Sequence, residues 1–190
     1  MGPRKELTRA RIVNAAFEMF WRAGFARTSL DVIAERAAVT KRTLYAHFRS
    51  KDDLLADVLQ HYAALAQGRM EAIGAGWPAD RVGLAEALFD GLSAWHAGKP
   101  RWSGSGFSRL AAELADMPGH PARAIAAGHK GWVENWYARR LRAAGVRRPG
   151  RKARELMLLV EGSMALALIH GDRRYFAAAA EAAKALLARP

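Results

Sequence analysis

The chain has 190 residues, room for one large domain or two small ones, and 51% of them are hydrophobic, which excludes a disordered or collagen-like polymer. Lys and Arg number 30 against 18 Asp and Glu, a formal net charge of +12. Cysteine is absent, which excludes disulfides, thiolate metal sites and cysteine nucleophiles. A charge of this sign and size points to a polyanionic partner, nucleic acid first and an anionic membrane surface second.

The opening residues carry no apolar core of signal-peptide length. The longest apolar stretch, 156–169, is interrupted by Glu161 and is too short to span a bilayer. A soluble, cytoplasmic protein without a membrane partner is therefore expected. The charge is uneven. Residues 1–51 hold 11 Lys/Arg and 4 Asp/Glu, a net of +7, whereas 52–190 hold 19 and 14, a net of +5. The polyanion-binding segment is thus expected near the N-terminus. A second basic run, 139–154, reads as a solvated helix end and loop.

Val, Ile and Thr never alternate with polar residues over a strand's length, so the expected fold is all-α with about nine helices. The first spans 6–23, where Ile12, Ala15, Ala16, Met19 and Phe20 form one apolar stripe, and Gly24 ends it. The second spans 28–37, capped by Thr28 or Ser29, with Asp31 at the capping-box position after Thr28. Ala38 and Val39 connect it to a third, 41–48, capped by Thr40, with Leu44 and Phe48 facing inward. Ser50 caps a long fourth helix that ends near Gly74, Gly76 and Pro78. The remaining helices are expected over 80–97, 107–115, 121–144, 150–170 and 172–188. The change from short to long helices places a boundary near Ser50, giving regions 1–50 and 51–190.

The second and third helices, joined by a tight connection, make a helix-turn-helix pattern. With Leu44 and Phe48 inward, Arg42, Thr43 and Ala46 lie on the opposite side of the third helix. An α-helix fits the DNA major groove, and Arg is the commonest reader of guanine there. Lys41, Tyr45 and His47 lie on the flanks, where phosphates would be, and the capped helix start adds backbone N–H groups for a phosphate.

The run RTSLDVIAERAAVTKRTLYAHFRSKDDLLADVL closely resembles the DNA-binding signature of TetR-type transcriptional regulators, on Ile33-Ala34, Val39-Thr40, Thr43-Leu44-Tyr45, His47-Phe48 and Ser50 to Leu54. The strong match covers residues 12–59; beyond it the chain agrees only in helix number and length. The resemblance implies a homodimer with an N-terminal operator-binding domain and a larger C-terminal domain for inducer binding and dimerisation. It puts Lys41, Arg42, Thr43 and Ala46 near bases, and Thr28, Thr40, Tyr45, His47 and Lys51 at phosphates. One departure is plain: the family usually has glycine where this chain has Ala38. If that residue adopts positive φ, alanine there costs on the order of 1 kcal/mol. Among the basic residues of the first helix, Arg4, Lys5, Arg9 and Arg11 are candidates for phosphate contact or for a solubilising face.

The second region holds Trp77, Trp95, Trp102, Trp132 and Trp136. The family builds its ligand cavity from the fourth to seventh helices, so Met70, Phe89, Trp95, Trp102, Phe107, His129, Trp132 and Trp136 are candidates to bind an apolar or aromatic inducer. The alternative is that they form an ordinary bulky core. Arg109 is a further candidate for a polar ligand contact. On the eighth helix Leu159, Gly162, Ser163, Leu166, Ala167 and His170 mix large and small residues; on the ninth, Phe176, Ala179 and Ala183 form a comparable stripe. A lone monomer would expose much of this, so an isologous four-helix dimer interface is expected. An enzyme is the rival reading, but the chain has no HExxH, Walker, dinucleotide or GxSxG motif, and neither cofactor nor metal is expected. A scaffold without DNA binding is a third, against which the compact cluster of basic residues in the helix-turn-helix argues.

Overall fold

A computed structural model of the protein describes residues 2–99 and 102–188. Among the described residues there are nine α-helices and no strand. They are α1 (Pro3–Ala23), α2 (Leu30–Arg36), α3 (Lys41–Tyr45), α4 (Lys51–Gly74), α5 (Arg81–Ala97), α6 (Gly106–Glu113), α7 (Pro121–Ala143), α8 (Pro149–His170) and α9 (Arg174–Ala188).

The helix starts follow from side-chain caps that take up orphan N–H groups. The Ser29 hydroxyl accepts from the Val32 N–H, Thr40 from Thr43, Ser50 from Asp53, and the Asp80 carboxylate from Val82 and Gly83. Of the two candidates for the α2 cap, Ser29 does the capping. Thr28 lies one residue too early, and its buried hydroxyl donates to the Gly24 carbonyl at 2.7 Å. α3 is shorter than its apolar pattern suggests. After Tyr45 the chain tightens, and the His47 and Phe48 N–H groups both donate to the Leu44 carbonyl, at 2.9 and 3.0 Å. Phe48 thereby reaches the core without a longer helix. α9 begins at Arg174 because the Asp172 carboxylate accepts the Arg174 N–H at 2.9 Å and pairs with its guanidinium.

Packing groups the chain into two compact units. The first takes in residues 1–66 and 106–128. Its core joins Ile12, Ala16 and Phe20 of α1 to Ile33 of α2, Leu44 of α3 and Phe48 beyond it. Leu54, Leu55, Val58 and Leu59 of α4 and Phe107 and Leu110 of α6 close it. The second unit takes in 67–105 and 129–190, with Leu84, Leu88, Phe89, Trp136, Leu141, Leu156, Phe176 and Leu187 at its centre and α9 packed on both α5 and α8. The boundary that helix lengths suggest, near Ser50, thus falls inside the first unit.

The connection between α2 and α3 turns on Ala38, at φ +49°. Its N–H donates to the Glu35 carbonyl and the Val39 N–H to Ala34, both at 3.0 Å. The Arg11 guanidinium of α1 donates to the Ala37 and Ala38 carbonyls at 2.6 and 2.7 Å, neutralising the end of α2. A left-handed alanine costs roughly 1–2 kcal/mol, while glycine there would give back about 0.4–1 kcal/mol through its freer unfolded chain. Ala38→Gly should therefore stabilise the protein by on the order of 0.5–1 kcal/mol, a rise of about 2–3 °C in Tm. Thermal melting followed by circular dichroism at 222 nm checks it; an unchanged or lower Tm would show that the turn carries no strain.

Candidate nucleic-acid interface

α3 presents two chemically opposite sides. Leu44 is fully buried, and Phe48, just past the helix, is buried with it on Ile33, Ala34 and Ala37. Lys41, Arg42, Tyr45 and Ala46 are exposed, Tyr45 at 48% despite its size. Thr43 is half-buried, its hydroxyl 2.8 Å from that of Thr40. No hydrogen bond or ion pair holds the Arg42 guanidinium among the described residues. Lys41 pairs with Asp31 at 2.8 Å, and that hydrogen bond raises its pKa, so it stays charged. His47 is half-buried; burial first, then the charges of Lys5 and Arg9, lower its pKa below the ordinary histidine value. It is mainly neutral at pH 7 and has room to gain a proton beside an anion.

Lys51 and Thr28 do not join this face. The Lys51 ammonium donates to the Phe25 carbonyl at 2.8 Å and to the Thr28 carbonyl at 3.1 Å, and lies 4.2 Å from the centre of the Phe25 ring. The Thr28 hydroxyl is turned inward. Both side chains hold the α1–α2 turn. Arg9 is likewise engaged, ion-paired with Asp57 and 5.1 Å from the centre of the Phe48 ring, and Arg11 caps the α2 end. The sequence gives no signal for the Arg11 role, because its partners lie 26 and 27 residues away and are backbone carbonyls.

A helix pair held in this way, with its outer side chains on the second helix, matches known DNA-binding proteins. The family of bacterial regulatory proteins, tetR family, matches residues 12–58. The transcriptional repressor SCO4008 of Streptomyces coelicolor is 33% identical over 135 residues, 66% of this chain and 65% of its own length. The regulator TtgR of Pseudomonas putida is 46% identical over 52 residues, 27% of this chain and 25% of its own. In structure, the TetR-family regulator SCO4454 from Streptomyces coelicolor superimposes with a TM-score of 0.82 at 25% identity, covering 95% of this chain and 94% of that one. Residues 12–58 thus match the tetR family, and the whole chain shares the fold of its members. It matches less than two thirds of the length of these curated relatives. The reduced form of E. coli NemR has the same fold, with a TM-score of 0.85 at 20% identity over 96% of this chain and 99% of that one.

The residues that the TetR resemblance offers for ligand binding fall in different places. Phe107 belongs to the core of the first unit, with Phe20 and Leu110. Phe89 and Trp136 are sealed in the core of the second, Trp136 at 1% exposure, and Met70, Trp102 and Trp132 pack partly buried against that core. The tryptophans do not form one cluster. Trp136 meets Trp77 edge-on at 5.2 Å, while Trp102 meets Trp95, His96 and Phe176. His129 is buried, and burial, assisted by the Lys130 charge, lowers its pKa to about 4 against the opposing pull of Glu161, so the ring is neutral. Two surface grooves, of about 180 and 350 Å³, lie along α1 and are lined by none of these residues.

The α8 and α9 candidates divide too. Ser163, Ala167, Phe176, Ala179 and Ala183 are buried within the unit, the Ser163 hydroxyl donating to the Val160 carbonyl at 3.0 Å. Leu159 is half-buried, and Leu166 and His170 are exposed. The exposed apolar stripe of α8 also holds Leu158, at 72% exposure, and Ile169, at 71%. Sequence reasoning missed both, because α8 is apolar on two sides and its period alone does not say which one the subunit covers.

Lys51 yields a direct test. Lys51→Met keeps the stem and removes two charge-assisted hydrogen bonds, so it should cost about 1.5–3 kcal/mol of stability. The salt dependence of DNA binding should keep its slope, since no phosphate contact is lost. Denaturant melts and a salt titration by fluorescence anisotropy read the two quantities; a flatter slope with unchanged stability would return Lys51 to the DNA face.

Proposed function

We propose that the protein is a cytoplasmic, ligand-responsive transcriptional regulator that binds an inverted-repeat operator as a homodimer. In this reading residues 1–50 contact DNA and 51–190 bind inducer and dimerise. The observation that carries it is the outward face of α3, where an unengaged Arg42 stands among Lys41, Tyr45 and Ala46 on the second helix of a helix-turn-helix. Thr40 and His47 flank it, where phosphates would lie. Arg42 reads a guanine edge through two donors, and Thr43 and Ala46 offer methyl groups to thymine. Repression is the favoured outcome, in keeping with the name of SCO4008, which is called a repressor.

The dimer uses the outward stripe of α8. Leu158, Gly162, Ala165, Leu166 and Ile169 recur at helical spacing and form a continuous apolar seam, and an isologous contact covers both copies at once. Two subunits then present their α3 helices to successive major-groove faces of one side of the duplex. The inducer is a small apolar or aromatic molecule taken up among the aromatic side chains of the second unit, where Trp102 and Trp132 remain partly exposed. Binding there releases DNA, and by linkage DNA weakens the inducer's affinity by the same factor.

Selection from a random duplex library should enrich an inverted repeat. On the enriched site Arg42→Ala should cost about 1–3 kcal/mol and relax one base pair per half-site. Equal losses on enriched and random DNA would refute its role as a base reader. Ile169→Glu buries a carboxylate in the seam of each partner and should give a monomer in analytical ultracentrifugation, with loss of binding to the full repeat. A variant that stays dimeric would place the interface elsewhere.

A further inference from the structure

The turn between α1 and α2 is gripped by α6, a helix more than 80 residues further along the chain. The Glu113 carboxylate accepts the N–H of Phe25 at 2.7 Å and of Ala26 at 3.4 Å. The Arg109 guanidinium donates to the Phe20 and Trp21 carbonyls at 2.9 and 2.6 Å, at the C-terminal end of α1. Arg109 and Glu113 are one helical turn apart and 3.8 Å from each other. One pair of side chains thus binds carbonyls at the end of α1 on one side of the turn and the amides of Phe25 and Ala26 on the other. Each bond joins a charge to the backbone, which is the stronger class of hydrogen bond.

The backbone makes room for this grip at two glycines. Gly24 sits at φ +88°, and a Cβ there would lie 2.9 Å from the Glu113 carboxylate oxygens. Gly106 opens α6 flat against the Trp21 ring, where a Cβ would fall 1.6 Å from a ring carbon. The opposite side of the same turn is tied to α4 by Lys51. His120, the residue before α7, puts its ring edge-on to Phe25 at 5.8 Å while its Nδ1 accepts the Ala122 N–H at 3.1 Å.

We propose that Arg109 and Glu113 are positioning residues for DNA reading, so that the reading head comprises α6 as well as α1–α3. This rests on the DNA-binding reading above. The turn at 24–28 fixes where α2 leaves α1, and α2 carries α3. Neither α2, of seven residues, nor α3, of five, holds its own pose, since isolated helices of that length are unstable in water. Loosening the α6 grip lets the α2–α3 pair swing. Bidentate base contacts tolerate little misplacement, whereas phosphate attraction survives it. The pair therefore contributes to specific binding far more than to random binding.

The test uses the full chain and two DNA duplexes, the selected inverted repeat and a random sequence of equal length. Wild type must first prefer the repeat; if it binds no DNA, the DNA-binding reading itself fails. Given that preference, Glu113→Ala should lower the specific-to-random affinity ratio at least tenfold, with random binding changed less than twofold. Glu113→Gln, which keeps one acceptor oxygen in the same place, should restore most of the ratio. Should the alanine variant not fold, Arg109→Lys carries the test, with a ratio three- to tenfold below wild type and unchanged helicity. A lower Tm with an unchanged ratio in the folded variants would make the pair a structural tie only and overturn the proposal.

Discussion

The peptide groups at Phe25–Thr28 are the constraint on which the DNA-facing side depends. They leave a helix, turn sharply and enter another helix within a few residues, so neither helix satisfies their N–H and C=O groups. Charged side chains take several of them: Glu113 the Phe25 and Ala26 amides, and Lys51 the Phe25 and Thr28 carbonyls. The arrangement is electrostatically consistent, with an anion on donors and a cation on acceptors. The Thr28 hydroxyl closes the remaining gap by donating to Gly24. A turn held from α4 and α6 at once fixes the direction of α2, and through Ala38 that of α3.

This constraint explains how the cations of the first 51 residues are divided. Arg9, Arg11, Arg36 and Lys51 are committed to partners inside the protein: Asp57, the α2 carbonyls, Glu18 and the α1–α2 turn. Arg22, Arg27, Arg42 and Arg49 have no side-chain hydrogen bond or ion pair among the described residues. Net charge by itself treats the two groups alike. The committed group sets the pose of the helices, and the uncommitted group is left available for phosphate and, in the proposed reading, for base contact at Arg42.

Much of the fold was legible in the sequence because its signals are local. Ser29, Thr40, Ser50 and Asp80 mark helix starts within a residue, and Gly24 and Gly171 mark ends, both at positive φ. The outward side of α3 was equally legible, since Leu44 and Phe48 define its opposite. What was not legible depends on partners distant in sequence. Lys51 and Thr28 sit at positions that suggest phosphate contact, yet their targets are carbonyls of the α1–α2 turn. Of the α8 candidates, Leu166 and His170 face out of the subunit and Ser163 and Ala167 face in, while Leu158 and Ile169 share the outward side. A helix apolar on two sides offers two equally good stripes, and only the packing of α9 selects one. The aromatic residues are ambiguous for a related reason, since tryptophan fills a core as well as it lines a cavity.

Hydrogen exchange of the full chain, with and without the selected duplex, tests the central claim most directly. α3 has five residues, too few to hold a stable helix alone, so its amides should exchange quickly when DNA is absent. Docking in the major groove should slow exchange across 40–47 more than anywhere else in the protein, with smaller protection in the turn at 25–26 that holds its pose. Protection confined to the second unit, or to the basic run 139–154, with 40–47 unchanged, would contradict the account.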